Sequence, residues 1–373
     1  MQQIDSDIAL ITQTALITTP THGGRAKCLQ RLVRLDLPVP RTVALSFEIV
    51  HKIAAGEAPD MAEILDTFAE EDLLCVRPSS ESSDWGGPGA VLNIGMNDAA
   101  FQRLSKTLGE RSAAKIYFRF VQGYSIHVAR LDPDIFDHIE GQGAQALEEA
   151  LAAYQAETEE PFPREKSVQL SEVLRSMARA WEGTTARLLR QAKGAPVDAG
   201  LGLIVQKMAF GVGRGECGAG VLQLVNSETG MAQITGRYRR QSQWRDALAH
   251  GQGTLYLTRD ERGVSLEEVC PEIFHTLKEH AELMRRRLRE EMQIEFTIED
   301  GRLHILDGVK VAREPRAAVR IAVSLVQSGI IPKEEALMRI DPTTLGGLLH
   351  RQVSQSATRD VIGRGIAASP GAA

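Results

Sequence analysis

Two glycine-containing segments carry residue types that bind phosphate. In the first, residues 21–27, Gly23 and Gly24 precede a helical pattern and Arg25 follows them directly. Backbone N–H groups and the dipole at a helix N-terminus attract an anion, and a neighbouring cation adds to that attraction. A Gly-Gly pair before a helix is also an ordinary turn, so both interpretations stay open.

The second segment, residues 75–89, joins Arg77, at the end of an apolar run, to a series of serines and then to Gly86 and Gly87. A guanidinium neutralises phosphate charge, and glycines let the backbone approach a polyphosphate closely. The segment therefore indicates a phosphate-binding loop around Arg77, Gly86 and Gly87. The alternative is a solvated surface loop capped by its serines.

Two carboxylates, Glu295 and Asp307, accompany a predicted β-hairpin at residues 294–306. Alternating apolar residues flank Asp300-Gly301, and Asp-Gly is a strong signal for a two-residue turn. Carboxylates at the ends of adjacent strands could hold Mg²⁺ against phosphate oxygens. Two exposed acids at strand ends are the alternative.

Residues 213–218 match the glycine pattern GxGxxG, which binds dinucleotides where a strand precedes it and a helix follows. The residues after Gly218 have the pattern of another strand. We therefore do not expect a dinucleotide site here, and a nucleotide-covering loop is the better functional interpretation.

The elements that must position these residues are a mixture of strands and helices. Apolar runs at 73–77 and 201–210 predict strands, and apolar residues at helical spacing predict helices at 23–36, 142–155, 168–193, 272–291 and 315–329. Because the two kinds of element follow one another without a regular βαβ alternation, the fold class is predicted as α+β.

Composition excludes several classes of protein. The chain has 373 residues, 43% of them hydrophobic, and a formal net charge of −6, so nothing favours nucleic acid or an acidic membrane surface. Its four cysteines are far apart, which argues against a disulfide framework or a structural zinc site. The N-terminus lacks the basic region of a signal peptide, and no apolar run is long enough to span a membrane. We expect a cytoplasmic protein.

Several segments, taken in order, resemble the N-terminal, nucleotide-binding part of the pyruvate phosphate dikinase and phosphoenolpyruvate synthase family. They are GGRAKCLQRL at 23–32, VRPSSESSD at 76–84, VLNIGMND at 91–98, RFVQGY at 119–124, IEFTIEDGRLHIL at 294–306 and AAVRIAVSLVQSGIIPKEEALMRIDP at 317–342. The last two segments are the most specific, because their residue types, order and spacing all fit.

The resemblance implies an ATP-grasp-like fold in which two lobes clamp ATP and magnesium. The lobes would span residues 1–195, with a helical insertion at about 100–193, and residues 196–312. Residues 313–373 would form a helical segment and a linker toward a phosphohistidine domain that the chain lacks. In the family, this part passes phosphoryl groups from ATP to a histidine on that domain, so the acceptor would act in cis or in trans. We expect a monomer, because the family dimerises through a barrel domain that is also missing.

The resemblance also implies roles for individual residues. Arg77 matches a phosphate-contacting arginine, and Glu295 matches a glutamate that ligates magnesium. Gln206 and Met208 would lie in the strand against the adenine. Arg25 stands where the family has a lysine, which keeps the charge but not the compact ammonium.

Other positions depart from the family pattern. Gln293 replaces an aspartate, and residues 307–309 replace Gln-Thr-Arg, so a phosphate-binding guanidinium is lost. Asp307 could restore the second carboxylate for the metal. Arg237, Arg239 and Arg245 could supply substitute cations.

Three hypotheses follow. The chain is the Mg-ATP-binding component of a phosphotransferase, or a catalytically degenerate nucleotide-binding module with a regulatory role, or a structural fragment without nucleotide affinity. The third hypothesis requires an apolar side chain such as Trp85 or Trp244 in the ATP site.

Overall fold

The computed structural model describes residues 7–139, 143–243, 254–261, 263–345 and 348. Most of the predicted linker lies outside the described residues, and so do Trp244 and Arg245.

Two five-stranded sheets form the framework of the described chain, and every neighbouring pair of strands in them is antiparallel. The strands are β1 Ile8–Leu10, β2 Thr42–Leu45, β3 Leu74–Ser80, β4 Val91–Ile94, β5 Leu201–Lys207, β6 Gly218–Val225, β7 Ala232–Arg240, β8 Thr254–Leu255, β9 Met292–Glu299 and β10 Arg302–Lys310. The first sheet has the order β1-β2-β5-β3-β4, and the second has the order β10-β9-β6-β7-β8.

Helices occupy much of the remaining described sequence. They are α1 Thr19–Arg34, α2 Phe47–Ala55, α3 Met61–Leu65, α4 Asp98–Leu108, α5 Glu110–His127, α6 Ala144–Thr158, α7 Lys166–Glu182, α8 Thr184–Ala192, α9 Leu266–Val269, α10 Pro271–Leu288, α11 Pro315–Gln327, α12 Lys333–Met338 and α13 Pro342–Leu345. The mixture of helices with antiparallel sheets confirms the predicted α+β class. The single helix predicted over residues 168–193 is in fact two helices, because the chain leaves helical geometry at Gly183.

The first sheet is buried on both faces, which explains why its strands show no alternation of apolar and polar residues. Val43 and Leu45 belong to one hydrophobic cluster, here called the first core, which includes residues of α2, α5 and α7. Ala44 lies between them in sequence and belongs to the second core, together with residues of α1, α10 and the second sheet. Successive side chains of a strand point to opposite faces, so this sheet separates the two cores.

The predicted hairpin is confirmed as β9 and β10. Glu299 pairs with Arg302, and the two-residue turn between them has positive φ at Asp300 (47°) and Gly301 (76°). That backbone geometry suits the right-handed twist of the flanking strands, which is why Asp-Gly is favoured there.

The first helix, α1, begins earlier than predicted and is interrupted at Gly23, whose φ is 86°. An added Cβ at this position would lie 1.8 Å from the backbone oxygen of Ser79. Glycine is therefore required by both the backbone conformation and the contact with β3. The kink separates a short entry turn from the regular helix that starts at Gly24.

The chain divides into two compact units. The larger unit contains the described residues up to Asn226 and those from Met231 to Ala312, and so includes both sheets. In the smaller unit, the turn at residues 227–230 packs with the described part of the chain that begins at Arg313. There Arg320 donates a hydrogen bond to the backbone oxygen of Thr229 at 3.0 Å. The first lobe is predicted to end at residue 195, and strand β5, which comes after that residue, belongs to the first sheet. The predicted lobe boundaries stay a prediction.

Candidate functional site

Four of the candidate side chains meet in the larger unit, between the two sheets. Arg25 comes from α1, Arg77 from β3 of the first sheet, and Glu295 and Asp307 from β9 and β10 of the second sheet. We call these four residues the charge cluster. Its members come from three segments that lie far apart in sequence, and the tertiary fold brings these segments together.

Arg77 connects the two sheets through its guanidinium. Its Nη2 donates to the Glu295 carboxylate and also to Oδ2 of Asp307 at 3.2 Å. Its Nη1 donates to the backbone oxygen of Leu306 at 3.0 Å. One arginine of the first sheet thus holds three acceptors of the second.

Asp307 has a second arginine partner. Nε of Arg25 donates to Asp307 Oδ2 at 2.6 Å, and Nη1 of the same guanidinium donates to the backbone oxygen of Pro78. The other carboxylate oxygen, Oδ1, accepts the backbone N–H of Gly308 at 2.8 Å. Both oxygens of Asp307 are therefore engaged by donors of the protein, whereas the contacts of Glu295 use one oxygen.

Three members of the charge cluster are buried, and Arg25 is partly exposed. Arg77 is 4% exposed, Glu295 6% and Asp307 0%, so the interpretation of the two acids as exposed strand-end residues is wrong. Two guanidiniums and two carboxylates balance each other, as buried charges must, because an unpaired one loses hydration without compensation.

Burial and the neighbouring charges shift the pKa of three groups in the cluster. For Asp307, burial acts to raise the pKa, but the guanidiniums of Arg25 and Arg77 outweigh it and hold the pKa below its usual value. For Arg77, burial acts to lower the pKa, and the two carboxylates reverse that and raise it. Burial raises the pKa of Glu295, with Arg77 opposing the shift.

A β-bulge sets the two carboxylates side by side. From the turn, residues pair in a regular register up to Phe296 and Ile305, after which Glu295 pairs with Asp307 instead of Leu306. The extra residue places Asp307 on the face of Glu295, since directly paired residues share a face and a one-residue shift reverses it. The bulge also leaves the Leu306 carbonyl as the acceptor for Arg77.

Ser79 is a site residue that the sequence reasoning missed. Its Oγ accepts the backbone N–H of Ala26 at 3.0 Å and donates to the backbone oxygen of His22 at 2.7 Å. It thereby fastens the start of the regular part of α1, and with it Arg25, to β3. The signal was available, because Ser79 follows Arg77 by two positions and strand residues two apart share a face.

Gln206 lies on the same face of the first sheet as Arg77. It pairs with Cys75, which is two positions from Arg77 in β3. Its side chain is buried and donates to Oγ1 of Thr42 at 2.9 Å. The structure thus brings Gln206 toward the cluster without a contact to it.

Met208, Gly86 and Gly87 are not brought to the charge cluster. Met208 is buried in the first core. The neighbours of Gly87 are Pro78 and Trp181, on the opposite face of the first sheet from Arg77. Trp85 packs against the first core as well, so it does not fill the space at the cluster.

Two of the proposed substitute cations lie on the face of the second sheet that carries Glu295. Val221 of β6 pairs with Glu295 on one side and with Arg237 on the other, so these three residues and Asp307 form one row across four strands. Arg239 lies on the same face, two positions along β7. At a strand spacing of about 4.8 Å, the backbones of Arg237 and Glu295 are roughly 10 Å apart.

The donor set of the cluster suits magnesium in type. Carboxylate oxygens are the ligands that Mg²⁺ prefers, and it usually takes one or two of them together with water and phosphate oxygens. Of the two acids, Glu295 fits better, because both oxygens of Asp307 already accept protein donors. Within the described residues, no group of three or more His, Cys, Asp or Glu side chains is placed to hold a metal alone.

Comparison with known proteins finds relatives that share one name. The pyruvate, phosphate dikinase of Rhizobium meliloti is 33% identical over 325 residues, which cover 81% of this chain and 36% of that protein. The Clostridium symbiosum enzyme is 30% identical over 390 residues, 94% of this chain and 44% of the relative. The chloroplastic pyruvate, phosphate dikinase 1 of Zea mays is 28% identical over 388 residues, 94% of this chain and 40% of the relative.

The predicted resemblance is therefore confirmed: the chain is a homologue of the N-terminal part of pyruvate, phosphate dikinases. It spans about two fifths of the length of these relatives. No family model matches the chain. None of the helices in the described ranges is long and apolar enough to cross a membrane.

Proposed function

We propose that this chain is the ATP-binding part of a dikinase-type phosphotransferase, with an ATP-grasp-like fold, and that it passes phosphoryl from Mg-ATP to a histidine on another domain or protein. The observation that carries the proposal is the convergence of Arg25, Arg77, Glu295 and Asp307 between the two sheets of the larger unit. The homology to pyruvate, phosphate dikinases supports it.

The charge cluster is proposed as the phosphate-binding and metal-binding part of the nucleotide site. Its cations and anions neutralise each other through direct ion pairs. Mg-ATP carries both the phosphate oxygens that guanidiniums bind and the cation that a carboxylate binds. Partner exchange would let Arg77 turn from Glu295 to the polyphosphate and free Glu295 for the metal, without leaving a buried charge unpaired.

Magnesium, when bound, would neutralise charge on the transferring phosphoryl group. The residues of the chain then have positioning roles. Arg77 and Arg25 hold the polyphosphate in line, and Ser79 keeps Arg25 in place through the start of α1. Arg237, on the face of Glu295, is the proposed substitute for the guanidinium that residues 307–309 lack.

The remaining assignments follow from the family resemblance. Gln206 is proposed to border the adenine, and its place on the face of Arg77 supports that role. The roles of Met208 at the adenine and of Gly86 and Gly87 at the phosphates stay predictions. A test of Met208 is whether its replacement by Ala changes the affinity for ATP more than the affinity for pyrophosphate.

The test is calorimetry of nucleotide binding with matched variants. Mg-ATP should bind at micromolar to sub-millimolar strength, and ATP with EDTA should bind more weakly. Glu295→Gln should remove most of this magnesium dependence, because it keeps the shape of the side chain but not its charge. Glu299→Gln, on the same strand but with its carboxylate 3.7 Å from Nε2 of His304, should retain it.

Two further variants test the cations. Arg77→Lys keeps the charge but loses the planar guanidinium, so it should weaken ATP binding at least tenfold, in line with a lost hydrogen bond to a charged group. Arg237→Gln should weaken it, whereas Arg240→Gln, on the opposite face and paired with Glu216, should not. Absence of any ATP binding by the wild-type chain would refute the proposal.

Transfer is tested separately from binding. The histidine-bearing domain of the Rhizobium meliloti relative serves as an acceptor in trans, with ATP labelled at the β- or γ-phosphate. Acid-labile label on that domain would support the phosphotransferase. Binding of Mg-ATP without transfer to any supplied acceptor would favour the nucleotide-binding regulatory module instead.

A further inference from the structure

A cavity that opens to the surface lies among the helices of the larger unit and shares no residue with the charge cluster. It has a volume of about 430 Å³ and is lined by parts of α5, α6 and α7 and by the turn that follows α5. The polar side chains that line it include Tyr124, Tyr154, Glu172, Arg130, Arg175 and Arg179. The volume falls within the range of small-molecule sites, roughly 300–1,000 Å³.

One face of α7 supplies most of the charge. Glu172, Arg175, Ser176 and Arg179 are spaced at three and four residues, so they project from one side of the helix toward the cavity. Arg175 and Arg179 are one turn apart, and like charges at this spacing repel each other. The guanidiniums of these two arginines form no hydrogen bond or ion pair with the side chains that the structure describes. An anion in the cavity would relieve their repulsion.

A third guanidinium is held at the cavity by the turn that follows α5. Arg130 has a φ of 63° and donates to Oγ of Ser176 at 3.2 Å. Ser176 in turn donates to the backbone oxygen of His127 at 2.7 Å. A residue without glycine's freedom in the left-handed region needs such support, and here the support fixes the direction of Arg130.

The interior of the cavity is aromatic. Tyr124 and Tyr154 are buried, and their ring centroids are 6.3 Å apart. The hydroxyl of Tyr124 donates to the Glu172 carboxylate. Burial raises the pKa of Glu172, and the nearby charge of Arg175 opposes that shift. The cavity therefore combines an apolar ring surface and one acceptor inside with three cations around it.

We propose that this cavity binds a small organic anion that carries phosphate or carboxylate groups on a cyclic or hydroxyl-bearing body. Three guanidiniums face one carboxylate, which gives a local excess of positive charge in a chain whose net charge is −6. A single guanidinium can bind either a phosphate or a carboxylate group bidentately. Arginines that belong only to a solvated helix face have no reason to line one concave surface together with an arginine from another element. Here Arg130, from the turn after α5, and the two arginines of α7 line one concave surface, as an anion site requires.

The experiment is calorimetric titration of the whole chain at constant ionic strength with two probes, pyrophosphate and citrate. Saturable binding of either probe is expected, and the stronger of the two identifies phosphate or carboxylate as the preferred group. The double variant Arg175→Gln with Arg179→Gln should weaken it at least tenfold, since it removes two charged donors. Arg111→Gln, an exposed arginine elsewhere on α5, is the matched control and should leave the affinity unchanged.

A variant with the opposite expected effect separates binding from folding. Glu172→Gln keeps an oxygen acceptor for the Tyr124 hydroxyl but removes the negative charge, so it should strengthen binding of the probe severalfold. A variant that only damaged the fold would weaken binding of the probe and would not strengthen it. Lack of saturable binding by the wild-type chain, or equal affinity in the double variant, would overturn the proposal. If the probe bound at the charge cluster instead, the double variant would bind it with the same affinity as the wild-type chain.

Discussion

Replacement of Asp307 by Asn should destabilise the protein through charge imbalance and not through loss of volume. Asp307 is fully buried and accepts from Arg25 and Arg77. Asparagine has nearly the same shape and keeps one oxygen acceptor, but Glu295 would then be the single carboxylate for the buried guanidinium of Arg77 and the half-buried guanidinium of Arg25. The free energy of unfolding therefore falls because a buried cation loses its partner.

The expected magnitude follows from buried ion pairs in general. Removing one partner of such a pair costs about 3–5 kcal/mol, and the conserved shape and remaining acceptor place this variant near 3 kcal/mol. Unfolding entropy is about 2.1 cal/mol/K per residue, which is roughly 0.8 kcal/mol/K for this chain. The melting temperature should accordingly fall by about 4 °C.

The assay is urea unfolding followed by circular dichroism, with calorimetry for the melting temperature. Asp66→Asn, an exposed aspartate that follows α3, is the matched control and should change stability by less than about 0.5 kcal/mol. Adding Arg25→Met to Asp307→Asn restores the charge balance around Arg77 and Glu295 and should recover part of the loss. If Asp307→Asn behaves as the control does, or if the second substitution only adds to the loss, the charge-balance reasoning is wrong.

Three more outcomes are expected. Because the pKa of Asp307 is lower in the folded than in the unfolded protein, the stability difference between wild type and Asp307→Asn should be full above pH 5 and shrink below about pH 4, as urea titrations from pH 3 to 7 would test. Gly23→Ala should lower the free energy of unfolding by more than about 2 kcal/mol, because the added Cβ clashes with β3 at a position of positive φ. Gly123→Ala, inside α5 with open space at its Cβ, should instead raise the free energy of unfolding by about 0.5–1 kcal/mol. Similar values for the two variants would refute the assignment of the kink. Burial raises the pKa of Cys28 to about 12 and that of Cys75 to about 11, so iodoacetamide at pH 8 should label both far more slowly in the folded chain than in urea, as peptide mass spectrometry would measure.

Local sequence signals predicted the elements of the site well. The Asp-Gly pair set the turn of the hairpin, and the strand predicted after the glycine pattern at residues 213–218 is confirmed as β6, which begins at Gly218. Residue type and position made Arg25, Arg77, Glu295 and Asp307 candidates, with an ordinary turn, a surface loop and exposed strand-end acids left open as alternatives. The resemblance to a known family assigned these scattered residues to a single nucleotide site.

Other features of the site were beyond a local pattern. The loop with Gly86 and Gly87 follows β3 directly, yet it lies on the opposite face of the first sheet from Arg77. A local pattern predicts the alternation of strand residues but not the direction that a connecting loop takes when the strand ends. Met208 is placed in the first core for the same reason, since the chain leaves β5 before it.

The sequence by itself determined the fold class, the hairpin and the types of side chain available for binding phosphate and metal. Only the tertiary structure decided that Arg77 would pair with Glu295, 218 positions away, and that Asp307 would join them. The reason is the bulge: a regular register would place Leu306 opposite Glu295 and turn Asp307 to the other face. A β-bulge forms where the packing of the whole sheet favours it. The spacing of residues within the hairpin sequence does not indicate the position of the bulge.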